Sequence, residues 1–316
     1  MNDEWRFRVI ASLPPYAEHR QEIIDHPLVS GLRFNTVWDA DAPRAELLAR
    51  LRRECGDKPL WIDLKARQLR VTAGAFVPYS FADISHPISV DLPVEVRFKD
   101  CTARAVELLD GGKRIVFSRP PRTSLGRGQP LNIIDPSLEI HGFLTEGDRE
   151  YARAAVELGL HDYMLSFYEG EEDERELREI DPEARIVAKV ESQRGLDFVR
   201  SGTYGEMFMQ GVAPRLMAAR DDLGANLIDR PLAYIDALWD IAEADANAIC
   251  ASRILTSLQD GGALSPQDLS DFDNMMSNGY MTFMLSDGMC LDPQAFRRAL
   301  EVMAELFRLR PEGGST

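Results

Sequence analysis

Three polar pairs in the chain share one spacing. Arg33 and Asn35, Asp63 and Lys65, and Lys189 and Glu191 each stand two residues apart at the end of a short apolar run. A β-strand sends alternate side chains to opposite faces, so both members of a pair point the same way. Charged groups on a buried strand are costly unless they are paired or bind a ligand. A structural ion-pair layer would also satisfy them, but three such pairs exceed what stability needs. The segment LMAARDDLGANL adds Asp221 and Asp222 after a further apolar run. Glu191, on the preceding apolar run, would be their neighbour, and two hard carboxylates at one mouth, with few other ligands, suit Mg2+ or Mn2+. Such an ion keeps waters and takes its remaining oxygens from the substrate. Lys189 and Arg33 supply positive charge for an anionic substrate beside it.

The elements that position these residues follow from the pattern. Eight short apolar runs cover 7–12, 29–35, 60–65, 163–167, 185–191, 215–219, 248–252 and 281–286. Such runs fit parallel strands buried on both faces. Helical patterns follow most of them, at 18–25, 43–55, 146–159, 172–179, 231–244 and 293–309. Eight strand–helix units make an α/β fold of the (β/α)8 TIM-barrel type, with catalytic residues at the C-terminal strand ends. The stretch 71–135 is too long for a βα loop, and its segments VEVRF and KRIVFS alternate between Pro and Gly. It reads as a small β insert after the third strand, on the catalytic face. The expected division is a barrel at 1–70 and 136–310, a β lid at 71–135 and a disordered tail at 311–316. The charged run 169–181 reads as a solvated amphipathic helix.

Composition excludes several classes. A chain of 316 residues with 45% hydrophobic and 28% charged residues is an ordinary globular protein, not a low-complexity one. The 36 basic and 52 acidic residues leave a net charge of −16, so nucleic-acid backbones and anionic lipid are not expected partners. Cys55, Cys101, Cys250 and Cys290 are far apart and form no CxxC pair, which argues against zinc and against a disulfide framework. No signal-peptide pattern opens the chain, and no apolar run is long enough to span a bilayer, so the expected compartment is the reduced cytoplasm.

The motifs resemble the barrel of pyruvate kinase. RVIASLPP is similar to that family's opening strand, GLRFNT to its arginine–x–asparagine segment and WIDLKARQLR to its aspartate–lysine–arginine segment. FLTEGDREYARAAVELGLHDYMLSF, IVAKVESQRGLDFV, MAARDDLGANL, AICASRILTSL and FMLSDGMCLDPQAF follow in the family's order. The resemblance runs from about residue 7 to 308. It implies that Glu191 and Asp222 hold a divalent metal and that Lys189 stabilises charge at a phosphoryl or enolate oxygen. Arg33 and Arg70 would bind the substrate anion, and Asn35 and Asp63 would line a monovalent-cation site beside the substrate. Ser252 stands where the family has a threonine on the enolate proton path. TSLGRGQPLN resembles the glycine-rich return from a lid that is much reduced here.

The departures cluster on one side of the site. Val37 stands where the family places a potassium-binding serine, and Trp38 where a nucleotide-facing histidine is expected. Leu64 replaces a threonine. Asp221 replaces a glycine and is counted with the substrate-binding residues. Tyr168 and Glu169 follow where an arginine is usual. The family's C-terminal regulatory domain is expected to be absent, and a homo-oligomer remains open. K+ is therefore not expected as a cofactor. The favoured function is a metal-dependent enzyme acting through a pyruvate enolate without a nucleotide. It would be an aldol-type C–C lyase or condensing enzyme, or a decarboxylase of a 2-oxo acid. The alternative is phosphotransfer between phosphoenolpyruvate and a nucleotide. A binding protein without catalysis is a third reading, opposed by the intact Lys189–Glu191–Asp222 set. Among the remaining candidates, His141 reads as a lid–barrel hinge contact, His161 as structural and Cys250 as core. Asp287 follows the last strand and is a further candidate for substrate contact.

Overall fold

A computed structural model describes residues 7–38, 42–73, 80–99, 101–122 and 126–309. The opening strands are β1 (Arg8–Ser12), β2 (Val29–Asn35) and β3 (Leu60–Leu64). The insert adds β4 (Val71–Ala73), β5 (Phe81–Ile84), β6 (Ile88–Ser89) and β7 (Val94–Phe98). It continues with β8 (Thr102–Leu109), β9 (Arg114–Phe117), β10 (Leu131–Ile133) and β11 (Glu139–Ile140). The chain then forms β12 (Asp162–Leu165), β13 (Arg185–Val190), β14 (Arg215–Ala219), β15 (Ile249–Ala251) and β16 (Thr282–Leu285).

All eight apolar runs become barrel strands. They close in the order β1-β16-β15-β14-β13-β12-β3-β2, with every pairing parallel, so the fold is a TIM barrel. Side-chain alternation sorts each strand between two cores. Ile186, Ala188 and Val190 of β13 face the helices, while Val187 belongs to the cluster inside the barrel. Ile10, Met164, Met217, Ile249 and Met284 complete that inner plug, with Trp61 packed against it. Outside, Leu47 and Leu51, Ala152 and Ala155, and Leu300 and Met303 present helical stripes to the strands.

The insert is antiparallel. Six strands pair in the order β10-β7-β8-β9-β5-β4 around their own core, which includes Val96, Ile115 and Leu131. The separate pair β6–β11 carries strand pairing to Ile140, beyond the expected limit at 135. Residues 123–125 of the glycine-rich return and the expected tail at 311–316 lie outside the described residues.

Several local expectations change. The helices Gln193–Arg200, Gly202–Met209, Arg220–Asn226 and Pro266–Ser277 were not anticipated from the pattern. Gly195, Gly202 and Gly205 weaken the helical signal of the first two. The helix Glu172–Ile180 is not simply a solvated face, because Asp173 and Glu174 are buried. Asp173 pairs with Arg67, and Glu174 accepts a hydrogen bond from the Tyr168 hydroxyl at 2.9 Å.

Strand β3 stops one residue before Lys65 for a visible reason. The backbone N–H groups of Lys65 and Ala66 donate to the two oxygens of Asp148, at 2.9 and 3.2 Å. The same carboxylate accepts from the Thr145 backbone N–H at 2.9 Å and closes a capping box on the helix Glu146–Glu157. One buried side chain therefore ends a strand and starts a helix. Asp148→Ala leaves three N–H donors without this acceptor, and we expect a loss of about 2–4 kcal/mol of stability. Urea unfolding measures it, and a loss below ~0.5 kcal/mol would refute the anchoring role.

Candidate active site

Above the apolar plug, the next inward layer of the barrel is polar. Ser12, Arg33, Asp63, Ser166 and Lys189 are all buried there, each two residues beyond an inward position of its own strand. Asp63 is fully buried. Its Oδ2 accepts from Arg33 Nε at 2.9 Å and from Arg33 Nη2. Its Oδ1 accepts from Lys189 Nζ at 3.4 Å and faces Lys65 Nζ at 3.6 Å. Burial alone would raise the Asp63 pKa, but Lys189, Lys65 and Arg33 outweigh it and hold the carboxyl far below the usual range.

A second carboxylate closes this side of the mouth. Asp287 Oδ2 accepts from Arg33 Nη1 at 3.0 Å and from Asn35 Nδ2 at 2.7 Å. Its Oδ1 accepts from the Trp38 indole at 3.1 Å. Arg33 also donates to Ser12 Oγ at 2.9 Å. A guanidinium has five N–H donors, so these bonds leave one Nη2–H for a substrate. Burial drives the Lys65 pKa down to about 7, with Asp63 opposing and Arg70, Lys189 and Arg33 adding to the fall.

The other side is less satisfied. Lys189 Nζ donates to Ser166 Oγ at 2.8 Å and lies 3.1 Å from Glu191 Oε1. Burial opposes its charge, but Asp63 and Glu191 hold its pKa above the usual lysine value. Glu191 Oε2 accepts the Phe167 backbone N–H at 2.7 Å, a donor aimed by a left-handed residue with φ of 52°. Burial pushes the Glu191 pKa up to about 7. Asp222 adds to that rise, and Lys189 opposes it. Burial also raises Asp222, against Lys189 and Arg70. Asn226 Nδ2 ties the pair together, donating to the main-chain oxygens of Glu191 at 3.0 Å and Asp222 at 2.9 Å.

Two carboxylates whose charge burial disfavours, with Asp222 further raising Glu191, have the donor chemistry a hard cation takes. Among the described residues, no group of three or more His, Cys, Asp or Glu is arranged to hold a metal. Two carboxylates such as Glu191 and Asp222 would leave most of a hard cation's shell to water and substrate oxygens, a coordination that Mg2+ or Mn2+ accepts.

The expected site residues divide accordingly. Arg33, Asn35, Asp63, Lys189, Glu191 and Asp222 gather at one mouth. Arg70 stands within electrostatic reach of Asp63, Asp222 and Glu191, with its Nε donating to Gln68 Oε1 at 3.0 Å. Ser252 lies beyond β15 with φ of 65°, its carbonyl held by Arg220 Nη2 at 2.8 Å. Asp221 does not join the cluster. Its side chain is 62% exposed and pairs with Arg253 at 2.7 Å. Adjacent helical positions point about 100° apart, so Asp221 and Asp222 cannot both face the mouth.

His161 pairs with Asp181 at 2.9 Å, and Cys250 is wholly buried. His141 contacts Ser89 Oγ at 2.8 Å, beside the β6–β11 pair. Sequence reasoning missed Ser12, Ser166, Gln68, Asn132 and Asn226. The first two stand two residues beyond the inward Ile10 and Met164, without the charged partner at that spacing that marks the other pairs. The others sit on turns, a lid strand and a short helix without such a signal.

Among known proteins, the chain is similar to pyruvate kinases. The pyruvate kinase of Borreliella burgdorferi is 22% identical over 307 residues, covering 88% of this chain and 62% of its own. Pyruvate kinase 1 of Saccharomyces cerevisiae is 24% identical over 241 residues, covering 73% and 42%. The solved Cryptosporidium parvum pyruvate kinase matches with a TM-score of 0.72 at 16% identity, over 96% of this chain and 70% of its own. The chain is similar to pyruvate kinases in sequence over most of its length and shares the barrel fold of the solved one. It spans less than two thirds of the length of these curated pyruvate kinases. No family model matches it. Among its described residues, no helix is long and apolar enough to cross a membrane.

For this pyruvate kinase-like barrel, metal binding is expected to depend on pH through Glu191. Its carboxyl, with a pKa of about 7, is protonated below that pH and ionised above it. Mn2+ affinity should fall between pH 8 and pH 6, by up to about tenfold per unit below pH 7. Glu191→Gln should cost at least ~10-fold in affinity and flatten the profile. Calorimetry at several pH values measures both, and unchanged affinity in the variant would refute the assignment.

Proposed function

We propose that this protein is a divalent-metal-dependent enzyme acting on a 2-oxo acid through its enolate, without a nucleotide. The charge balance of the mouth supports this reading most. Arg33, Lys65, Arg70 and Lys189 are matched by Asp63, Glu191, Asp222 and Asp287, a formal sum of zero. A divalent ion on Glu191 and Asp222 raises the sum to +2, which one carboxylate and one enolate oxygen neutralise. That ion supplies Lewis-acid charge at the keto and carboxylate oxygens.

The reaction we favour makes or breaks the C3–C4 bond of a 4-hydroxy-2-oxo acid. In cleavage, the C3–C4 electron pair becomes the enolate and the C4 hydroxyl loses its proton as it turns into a carbonyl. C3 then takes a proton to yield the methyl group of pyruvate. Decarboxylation reaches the same enolate with carbon dioxide as the leaving group. Lys189, held by Asp63 and Ser166, keeps its ammonium ready for the enolate oxygen. Ser252 serves the proton path to C3. Arg33 orients Asp63 and Asp287 and offers its one remaining donor to the substrate carboxylate. Lys189→Met should lower kcat by ~10²–10³ while changing KM less than ~3-fold. Steady-state kinetics of pyruvate release test this, and a pure KM defect would show the role misassigned.

Absence of K+ dependence belongs to the same reading. Lys65 already stands 3.6 Å from Asp63, and the Asn35 amide is bound to Asp287. Val37 and Leu64 bring no side-chain oxygens. We expect equal rates in K+ and tetramethylammonium salts.

Phosphotransfer is the second reading. Besides the similarity to pyruvate kinases, Arg97, Lys99 and Arg122 of the lid and Arg253 of the barrel border a cleft that Asp221 and Asp222 also line. A phosphorylated substrate there meets several cations. Calorimetry with ADP and Mg2+ separates the readings. We expect no binding tighter than millimolar, and micromolar Mg2+-dependent binding would put the kinase reading first.

A further inference from the structure

A chamber of about 470 Å³ lies between the lid return and the ends of β12, β13 and β14. Its walls include Leu69, Leu131, Ile133, Leu138, Ile140 and Phe167. Cavities of this size lined mainly by hydrocarbon are the usual form of small-molecule sites. An engineered apolar cavity of roughly 150 Å³ already takes benzene, so a ring with a short chain fits here.

Most polar side chains around the chamber are already engaged. Arg67 binds Glu169 and Asp173, and Ser192 Oγ donates to Glu169 Oε1 at 2.7 Å. Gln193 donates to Asp197, and Asp135 accepts from Ser137. Arg194 donates to the Leu138 carbonyl at 2.7 Å. Arg230 is an exposed lining cation, and a neutral apolar group would displace none of the bonds just named.

The chamber also abuts the metal carboxylates. Phe167, whose N–H holds Glu191 Oε2, forms part of its wall. Asn226, bound to the main chain of Glu191 and Asp222, forms another part. Asn132 borders both this chamber and the cleft that Asp222 lines, and its amide faces Asn226 at 3.4 Å.

We propose that this chamber binds an alkyl or aryl group of a neutral carbonyl compound, the second substrate, whose carbonyl reaches the mouth past Asn132. Its assignment to a second substrate rests on the enolate reading above. Substrates of the site would then be 4-hydroxy-2-oxo acids bearing an apolar substituent at C4.

Two measurements on the full chain test the idea. Saturation-transfer NMR with benzyl alcohol, an unreactive neutral probe, reports the chamber independently of turnover. Ile134→Trp fills the chamber, and Leu138→Glu places a charge in it. Both positions are only partly buried, which limits the risk to folding, and circular dichroism checks it. Benzyl alcohol should bind the natural protein and lose at least ~10-fold in affinity in both variants. In the second measurement, 4-hydroxy-2-oxo-4-phenylbutanoate should be cleaved with a kcat/KM at least ~10-fold above that of 4-hydroxy-2-oxopentanoate. The variants should erase that preference, lowering kcat/KM on the phenyl compound at least ~10-fold more than on the methyl compound. No binding to the natural protein, or binding that folded variants retain, overturns the chamber. Binding that the variants abolish, with neither acid cleaved, supports the chamber and overturns the enolate reading instead. Cleavage of both acids without preference overturns the chamber's role and leaves that reading standing.

Discussion

A carboxylate with no access to solvent sits at the axis of the barrel mouth and binds three different strand ends together. Asp63 of β3 takes Arg33 from β2 and Lys189 from β13, and Lys65 stands two residues after it in the chain. Burying a lone carboxylate costs several kcal/mol, and the three cations offset that cost only while each is in place. Removing Asp63 would take this partner from Lys65 and leave Arg33 to Asp287 and Lys189 to Glu191. The polar layer above the apolar plug is therefore one electrostatic unit, and the positions of Lys189 and Arg33 follow from a single anion.

That unit divides the mouth into a closed half and an open half. On the closed side, Asp287 accepts from Arg33, Asn35 and Trp38, so most of the donors there are engaged within the protein and one Arg33 Nη2–H remains. On the open side, Glu191 and Asp222 repel one another, and burial disfavours both charges. A cation relieves that repulsion. The departures from the family's pattern at Val37, Trp38 and Leu64 fall on the closed half. The residues that match it at Lys189, Glu191 and Asp222 fall on the open half. Self-satisfied charges position, and frustrated charges recruit a ligand.

The lid is tied to the open half by amides and by a guanidinium. Gln68 donates to Asp222 Oδ2 at 3.2 Å and accepts from Arg70, whose Nη1 donates to the Gly128 carbonyl of the lid return. Asn132 on β10 meets Asn226 across the cleft. The lid return is thus linked to Asp222 through Gln68 and Arg70.

The barrel and the heart of its site were legible in the chain. Alternation on β2, β3 and β13 is a local property, so the inward direction of Arg33, Asp63 and Lys189 follows from counting by two. The count of eight runs predicts closure, and closure brings those strand ends together. Other features depend on contacts far apart in sequence. Asp287 reaches Arg33 across 254 positions, and no local pattern marks which carboxylate will do so. Asp221 and Asp222 are the same residue type side by side, and only the docking of their helix turns one inward and leaves the other with Arg253. The apolar chamber is formed by the lid return meeting three strand ends, so none of its walls is a site alone. Local periodicity determined which face each residue takes. Tertiary packing decided which charges neutralise one another, because pairing energy in a buried layer depends on distances that the chain sets only when the barrel closes.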